Sequence, residues 1–199
     1  MTSFHESGHA LLHYYLEHAD PFHKVTIIPH GRALGVAFSL PEKDYYSRGK
    51  AWLMDRITIT MGGYAAEEII YKETTTGAQN DIEQATELAR KMVCEWGMSE
   101  DLGPIAYGQK EEPIFLGKEI ARHKDYSEKT ARLIDTAVNE IITSRLSRAH
   151  DILEEHKDNL DLLAQTLIKE ETLDDSQIRE LLGFEQRERR VEENSTEEI

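Results

Sequence analysis

The chain has 199 residues, of which 39% are apolar, enough for one packed domain with a helical extension. Its formal net charge of −15 argues against nucleic acid as a partner, because phosphate recognition needs a basic surface. The single cysteine, Cys94, excludes an intramolecular disulfide framework, and there is no run of about 18 apolar residues that would span a membrane. We therefore expect this chain to be soluble by itself.

The N-terminal part predicts a helix followed by two strands. Residues 3–18 have the periodicity of an amphipathic helix. The segments KVTIIP and ALGVAFSL are rich in β-branched and apolar residues, and they are separated by a turn over residues 29–32. We expect these two strands to form a small sheet.

The next segment, residues 46–71, is mostly apolar and is interrupted by Gly62 and Gly63. This pattern is typical of a buried helix with close backbone packing, although the β-branched run Ile57 to Thr60 lowers its helical propensity.

A turn and a helix are predicted in TTTGAQNDIEQATELARKMVCEWG, where Gly97 can end the helix in a left-handed conformation. Asn80 as the N-cap and Glu83 three residues later predict a capping box. That arrangement leaves the carboxylate of Asp81 free in the first helical turn.

The C-terminal half predicts a loop followed by helices. Residues 98–123 hold several Gly and Pro residues and are expected to form a long loop. Helical periodicity resumes in residues 127–156, 158–169 and 174–182. The residues after Phe184 are charged and nearly free of apolar side chains, so we expect a disordered tail.

The segment HESGH contains the candidate metal ligands and a candidate catalytic base. On a helix His5 and His9 lie one turn apart and within about 40° of each other, so both imidazoles can bind one ion. Neutral imidazoles suit Zn²⁺, which can activate a water molecule while the Glu6 carboxylate accepts its proton. The competing interpretation is structural, because Ser3 and Glu6 also fit a capping box.

A catalytic zinc requires a third protein ligand. The arrangement with a nearby glycine and third histidine is excluded, because this chain has Leu12 and Tyr15 at those positions. The remaining candidates are carboxylates from another helix: Glu67, Glu68 and Asp81. Spacing alone leaves all three open, with a slight preference for Asp81 because its side chain is free.

Several blocks in the same order resemble the peptidase domain of the FtsH family of membrane-anchored, ATP-dependent zinc metalloproteases. They are HESGHA, DPFHKVTIIPHGRALGVAFSLPE, DRITITMGGYAAEEIIY, TTTGAQNDIEQATELARKMV and CEWGMSEDLGPIAYG, and the resemblance as a whole runs from about Phe4 to Gly117. The resemblance implies that His5, His9 and Asp81 bind zinc and that Glu6 is the catalytic base. Glu68 and Asn80 are then candidate neighbours of the ligands, with Glu68 orienting a ligand rather than binding the metal.

The resemblance also implies a fold and an assembly. We expect a mainly α, helical zinc-peptidase domain with a small sheet of two or three short strands near the active site. Its core would comprise residues 1–125, its helical C-terminal part residues 126–183, and its tail residues 184–199. One Zn²⁺ is expected per chain, whereas ATP would serve only an AAA ATPase module N-terminal to this domain.

The chain contains neither a phosphate-binding loop of that module nor a transmembrane segment, so we expect it to be a piece of a longer protein. The full-length protein would be a membrane-anchored homo-hexamer, with this domain on the cytoplasmic, matrix or stromal side, that degrades unfolded and membrane proteins.

Gly35, Val36, Ala37 and Phe38 could form a strand edge to which an unfolded polypeptide adds, unless helices cover both strands. Two other functions compete with the peptidase: an oligomerisation and docking module built on residues 127–182, and a zinc hydrolase of non-peptide substrates.

Overall fold

The computed structural model describes residues 1–29, 35–39, 47–107 and 126–185. The predictions for the turn after Pro29, for most of the loop after Met98 and for the tail after residue 185 lie outside these residues. The described helices are α1 (Thr2–Tyr15), α2 (Lys50–Thr60), α3 (Gly62–Tyr71), α4 (Gln79–Cys94), α5 (Glu128–Glu155), α6 (Lys157–Glu170) and α7 (Asp175–Leu182). The described strands are β1 (Phe22–Thr26), β2 (Val36–Ser39) and β3 (Thr172–Asp174).

The three strands form one antiparallel sheet in the order β2-β1-β3. Val25 in the central strand pairs with Ala37 on one side and with Leu173 on the other. The mainly α fold with a small sheet is therefore confirmed. The third strand comes from the C-terminal helical part, so the sheet joins that part to the N-terminal elements.

The predicted helix over residues 46–71 is two helices rather than one. The chain changes direction at Met61, and Gly62 begins α3. The break lets α3 cross α1 with backbone almost touching backbone: a methyl group at Gly62 would lie 2.9 Å from the Gly8 carbonyl oxygen and 2.8 Å from Leu12 Cδ1. Close packing at the glycine pair was correctly predicted, but its effect on the helix was not.

The start of α4 also differs from the prediction. The helix begins at Gln79 after Ala78, and a 3₁₀ turn over Thr76–Ala78 precedes it. The capping box of Asn80 and Glu83 is wrong, because Asn80 already lies inside the helix and Glu83 accepts a hydrogen bond from the Gln79 amide instead. Asp81 lies in the first turn, as predicted.

Helix α1 runs through the core. Its Ala10, Leu11 and Leu12 are fully buried against side chains from the sheet and from α3, α5, α6 and α7. Ser3 lies within α1, and its hydroxyl donates to the backbone carbonyl of Ala164 in α6. The capping-box interpretation of Ser3 and Glu6 is therefore wrong.

A second apolar cluster joins α2, α4 and α5. Helix α5 begins after a Ser127 cap, and α7 begins with a capping box formed by Asp174 and Gln177. None of the helices in the described ranges is long and apolar enough to cross a membrane.

Candidate metal centre

Three side-chain atoms that can bind a metal meet at one point between α1 and α4. His5 Nε2 lies 3.2 Å from His9 Nε2 and 3.1 Å from Asp81 Oδ2, and His9 Nε2 lies 3.4 Å from the same oxygen. A tetrahedral zinc with bonds of 2.0–2.1 Å separates its ligand atoms by about 3.3–3.4 Å. These three atoms are therefore already spaced as ligands of one such ion, and no other cluster of this kind occurs among the described residues.

In both histidines the nitrogen that faces this point is Nε2. The Nδ1–H of His9 donates to the Ile59 carbonyl oxygen over 2.7 Å. The Nδ1–H of His5 donates to Glu67 Oε1 over 2.9 Å. Because carbonyl and carboxylate oxygens can only accept, these bonds place a proton on Nδ1, so that Nε2 carries the lone pair whenever the ring is neutral. Partners of this kind commonly orient histidine ligands of zinc.

Glu67, rather than Glu68, is the carboxylate beside the histidine. Glu67 is buried, and besides His5 it accepts hydrogen bonds from the backbone N–H of Thr75 at 2.8 Å and from the Thr75 hydroxyl at 3.3 Å. The Glu68 carboxylate instead lies 2.6 Å from His150 Nε2, in a hydrogen bond between α3 and α5. The prediction that Glu68 orients a ligand is corrected accordingly.

The Glu67 carboxylate therefore joins the two halves of the site. It holds His5 from α1 on one side and, on the other, the Thr75 turn that leads to Asp81. Thr75 in turn caps the 3₁₀ turn before α4 by accepting from the Gly77 N–H. Asn80, predicted as a neighbour of the ligands, is exposed at the start of α4.

Asp81 and His9 shift each other's pKa. Burial acts to raise the pKa of Asp81, but hydrogen bonds from His5 and His9 outweigh it, and the pKa lies well below its usual range. Burial acts to lower the pKa of His9, but the hydrogen bond and charge of Asp81 outweigh it and raise that pKa.

Glu6 lies beside the three candidate ligands without being one of them. Its side chain is buried, and burial raises its pKa despite the opposing charges of His9 and His5. The Gly35 backbone packs against it: a methyl group at Gly35 would lie 2.7 Å from Glu6 Cγ and 2.8 Å from Oε1. The chain entering β2 therefore passes directly over the Glu6 carboxylate.

The predicted substrate strand occupies the edge of the described sheet. Gly35 precedes β2, and Val36, Ala37 and Phe38 belong to it, with Phe38 exposed. Among the described strands, β2 pairs only with β1. This strand edge therefore begins beside Glu6.

Sequence reasoning missed the residues that orient the histidines. Gly62, Gly63 and Ala66 are small because that side of α3 packs on α1. Glu67 lies four residues after Gly63, on the same side of the helix, which is the signal that could have separated it from Glu68. The Ile59 carbonyl could not have been identified, because a backbone acceptor leaves no mark in the sequence.

Comparison with known proteins identifies relatives over nearly the whole chain. A family model described as peptidase family M41 matches residues 1–181. The chain is 59% identical over 184 residues to the ATP-dependent zinc metalloprotease FtsH of Borreliella burgdorferi (strain ZS7), a match covering 92% of this chain and 29% of the relative.

Two further relatives are similar. The chain is 47% identical over 182 residues to the ATP-dependent zinc metalloprotease FtsH 3 of Symbiobacterium thermophilum, covering 92% of this chain and 29% of that protein. It is 50% identical over 182 residues to the ATP-dependent zinc metalloprotease FtsH of Acidobacterium capsulatum, covering 92% and 28%. The chain thus spans less than a third of the length of these relatives.

Proposed function

Because the chain belongs to peptidase family M41, we propose that it is the zinc-dependent endopeptidase part of a longer ATP-dependent protease. In this proposal His5, His9 and Asp81 are the zinc ligands and Glu6 is the general base. The observation that carries it is the spacing of 3.1–3.4 Å among the three donor atoms, with both Nδ1–H groups bonded elsewhere.

The three candidate ligands match zinc in their chemical types as well as in the spacing of their donor atoms. Two imidazoles and one carboxylate leave a fourth position open, as catalytic zinc sites require. The chain's only cysteine, Cys94, is not among the donors, so a closed structural site rich in thiolates is not an alternative here. When bound, zinc lowers the pKa of a water ligand and polarises a peptide carbonyl.

Glu6 supplies the proton transfers. Its carboxylate accepts the proton of the attacking water and delivers it to the nitrogen of the leaving amine. Glu6 is buried, so its carboxylate is largely shielded from bulk water. The contact with the Gly35 backbone restricts the carboxylate to the space beside the ligands.

The edge of β2 supports an unfolded polypeptide as the substrate. A segment that adds to Gly35, Val36, Ala37 and Phe38 would pair through its main chain, which demands little of its sequence. Its peptide groups would then lie alongside Glu6. A Pro at Ala37, whose N–H faces away from β1, should impair cleavage by removing a main-chain donor, and cleavage at the unchanged rate would count against this binding mode.

The ATPase module and the membrane anchor of the proposed assembly would belong to parts of the protein outside this chain. The relatives are named ATP-dependent, and this chain covers about 29% of the first two. We propose that an AAA ATPase module N-terminal to the peptidase uses ATP to deliver substrates. We further propose that the full-length protein is a membrane-anchored homo-hexamer with its peptidase on the cytoplasmic, matrix or stromal side.

The test is to measure zinc binding and peptide cleavage separately. The wild-type chain should bind one zinc ion and cleave an unfolded protein substrate. Glu6→Gln should bind zinc normally and lose about 10²- to 10⁴-fold in rate, whereas Asp81→Asn should lose zinc affinity. A Glu6→Gln variant of normal rate, or a wild-type chain without zinc affinity, would contradict the proposal.

A further inference from the structure

The Cα atom of Gly63, at the start of α3, faces the His5 ring. A methyl group at this position would lie 2.5 Å from both Cε1 and Nε2 of His5 and 2.7 Å from Cδ2. Carbon and nitrogen atoms in van der Waals contact are about 3.5–4.0 Å apart. No side chain larger than hydrogen fits at Gly63 while the ring stays where it is.

The ring is held on its other sides. Its Nδ1–H is bonded to Glu67, and its Nε2 meets His9 and Asp81. Because Gly63 and Glu67 lie one turn apart on α3, the imidazole is held along the face of that helix between them. Displacing it away from Gly63 would change either the hydrogen bond or the position of Nε2.

The two helices cannot separate easily to make room. Gly8 of α1 and Gly62 of α3 pack backbone against backbone, and a methyl group at Gly8 would overlap the Gly62 carbonyl oxygen and lie 2.8 Å from the Ala66 methyl. Close packing of this kind transmits strain instead of absorbing it. The space for the His5 ring is therefore fixed by the crossing of α1 and α3.

From these contacts we propose that Gly63 is a positioning residue of the metal site: its missing side chain sets where His5 Nε2 stands relative to His9 Nε2 and Asp81. Gly63 acts through His5 and contacts neither metal nor substrate. The inference rests on the proposed function, because it takes His5, His9 and Asp81 as the zinc ligands.

Gly63→Ala tests whether the His5 ring needs the space that glycine leaves at this position. Alanine is a better helix former than glycine, so the substitution stabilises α3 if nothing else changes. If Gly63 positions His5, the added methyl group overlaps the ring, so the same substitution weakens zinc binding and lowers the urea midpoint of the metal-free protein. Gly49→Ala is the control for an added methyl group, since Gly49 lies just before α2 and a methyl group there meets nothing within 4 Å.

The experiment measures zinc affinity by competition with a chromophoric chelator, together with urea unfolding of the metal-free proteins. We expect Gly63→Ala to bind zinc about 10- to 100-fold more weakly than wild type, and Gly49→Ala to bind within about twofold of wild type. Gly63→Ala with wild-type zinc affinity would overturn the inference.

A second comparison keeps the test decisive if Gly63→Ala folds poorly. In a His5→Ala background the ring is gone, so Gly63→Ala should no longer lower the urea midpoint. A midpoint lowered equally in both backgrounds would overturn the inference. A wild-type chain that binds no zinc would refute the proposed function instead, whereas the unfolding comparison, made without metal, still tests the contact between Gly63 and His5.

Discussion

Glu67→Gln tests whether the carboxylate between the two halves of the site sets the zinc affinity. Glu67 offers acceptors to two partly buried N–H groups, the Nδ1–H of His5 and the backbone N–H of Thr75. Glutamine has the same shape but only one acceptor oxygen. Its amide group must therefore face either Thr75 or His5.

Each placement of the amide has a defined cost. If it faces Thr75, two N–H donors oppose each other, and the unsatisfied, partly buried group costs about 1 kcal/mol of stability. If it faces His5, the imidazole must accept at Nδ1 and carry its proton on Nε2, the nitrogen proposed to bind zinc. We therefore expect zinc to bind about 10- to 100-fold more weakly, which corresponds to about 1.4–2.7 kcal/mol.

The assay is a chelator competition titration of the purified chain, with urea unfolding of the metal-free protein. Glu68→Gln is the matched control, because Glu68 is the adjacent carboxylate on α3 and its partner is His150. That pair is partly exposed, so its loss should cost no more than about 1 kcal/mol and leave zinc affinity within twofold of wild type. Equal effects of the two substitutions, or wild-type zinc binding by Glu67→Gln, would refute the reasoning.

Three further predictions concern the base, a buried histidine and the metal. Gly35→Ala places a methyl group 2.7 Å from Glu6 Cγ, so peptide cleavage should slow about 10²-fold with zinc affinity unchanged; a rate matching Gly49→Ala contradicts this. Burial lowers the pKa of His13 to about 4, below the value of about 6.5 expected in the unfolded chain. Protonation therefore favours unfolding, and the free energy of unfolding should fall by about 2 kcal/mol from pH 8 to pH 5. His13→Asn should lack that decrease, and parallel pH profiles would argue against it. Zinc at 100 times its Kd should raise the free energy of unfolding by about 2.7 kcal/mol, and unfolding curves that EDTA does not change would exclude this.

The helices were predictable where local signals agree with packing. Ser127 caps α5, and Gly183 ends α7 in a left-handed conformation, as their positions in the sequence indicate. The break at Met61 was not predictable from propensity, because it depends on Gly62 meeting Gly8 in another helix. Likewise β3 is three residues long and forms only because β1 is available to pair with it.

The residues of the candidate site also divide into those that local sequence patterns predict and those that depend on contacts between distant elements. The spacing of His5 and His9 within one helix brings their rings together, and the structure agrees, with ring centroids 4.8 Å apart. Spacing did not decide which of Glu67, Glu68 and Asp81 is the third ligand, because a contact between distant elements is not encoded in local periodicity. The structure brings Asp81 to both histidines and gives Glu67 a different contact, the Nδ1–H of His5.

Each candidate ligand is oriented by a different part of the fold, and this makes the site depend on the packing of four helices. His9 is held by a carbonyl at the end of α2, and His5 by a carboxylate of α3. Asp81 stands in the first turn of α4, after the Thr75 turn that Glu67 also binds. Helix α1 alone would present two histidines with free rotation and no selected tautomer. The arrangement of donors therefore arises only after α2, α3 and α4 have packed around α1, so a substitution that shifts the crossing of α1 and α3 should weaken metal binding before it unfolds the chain.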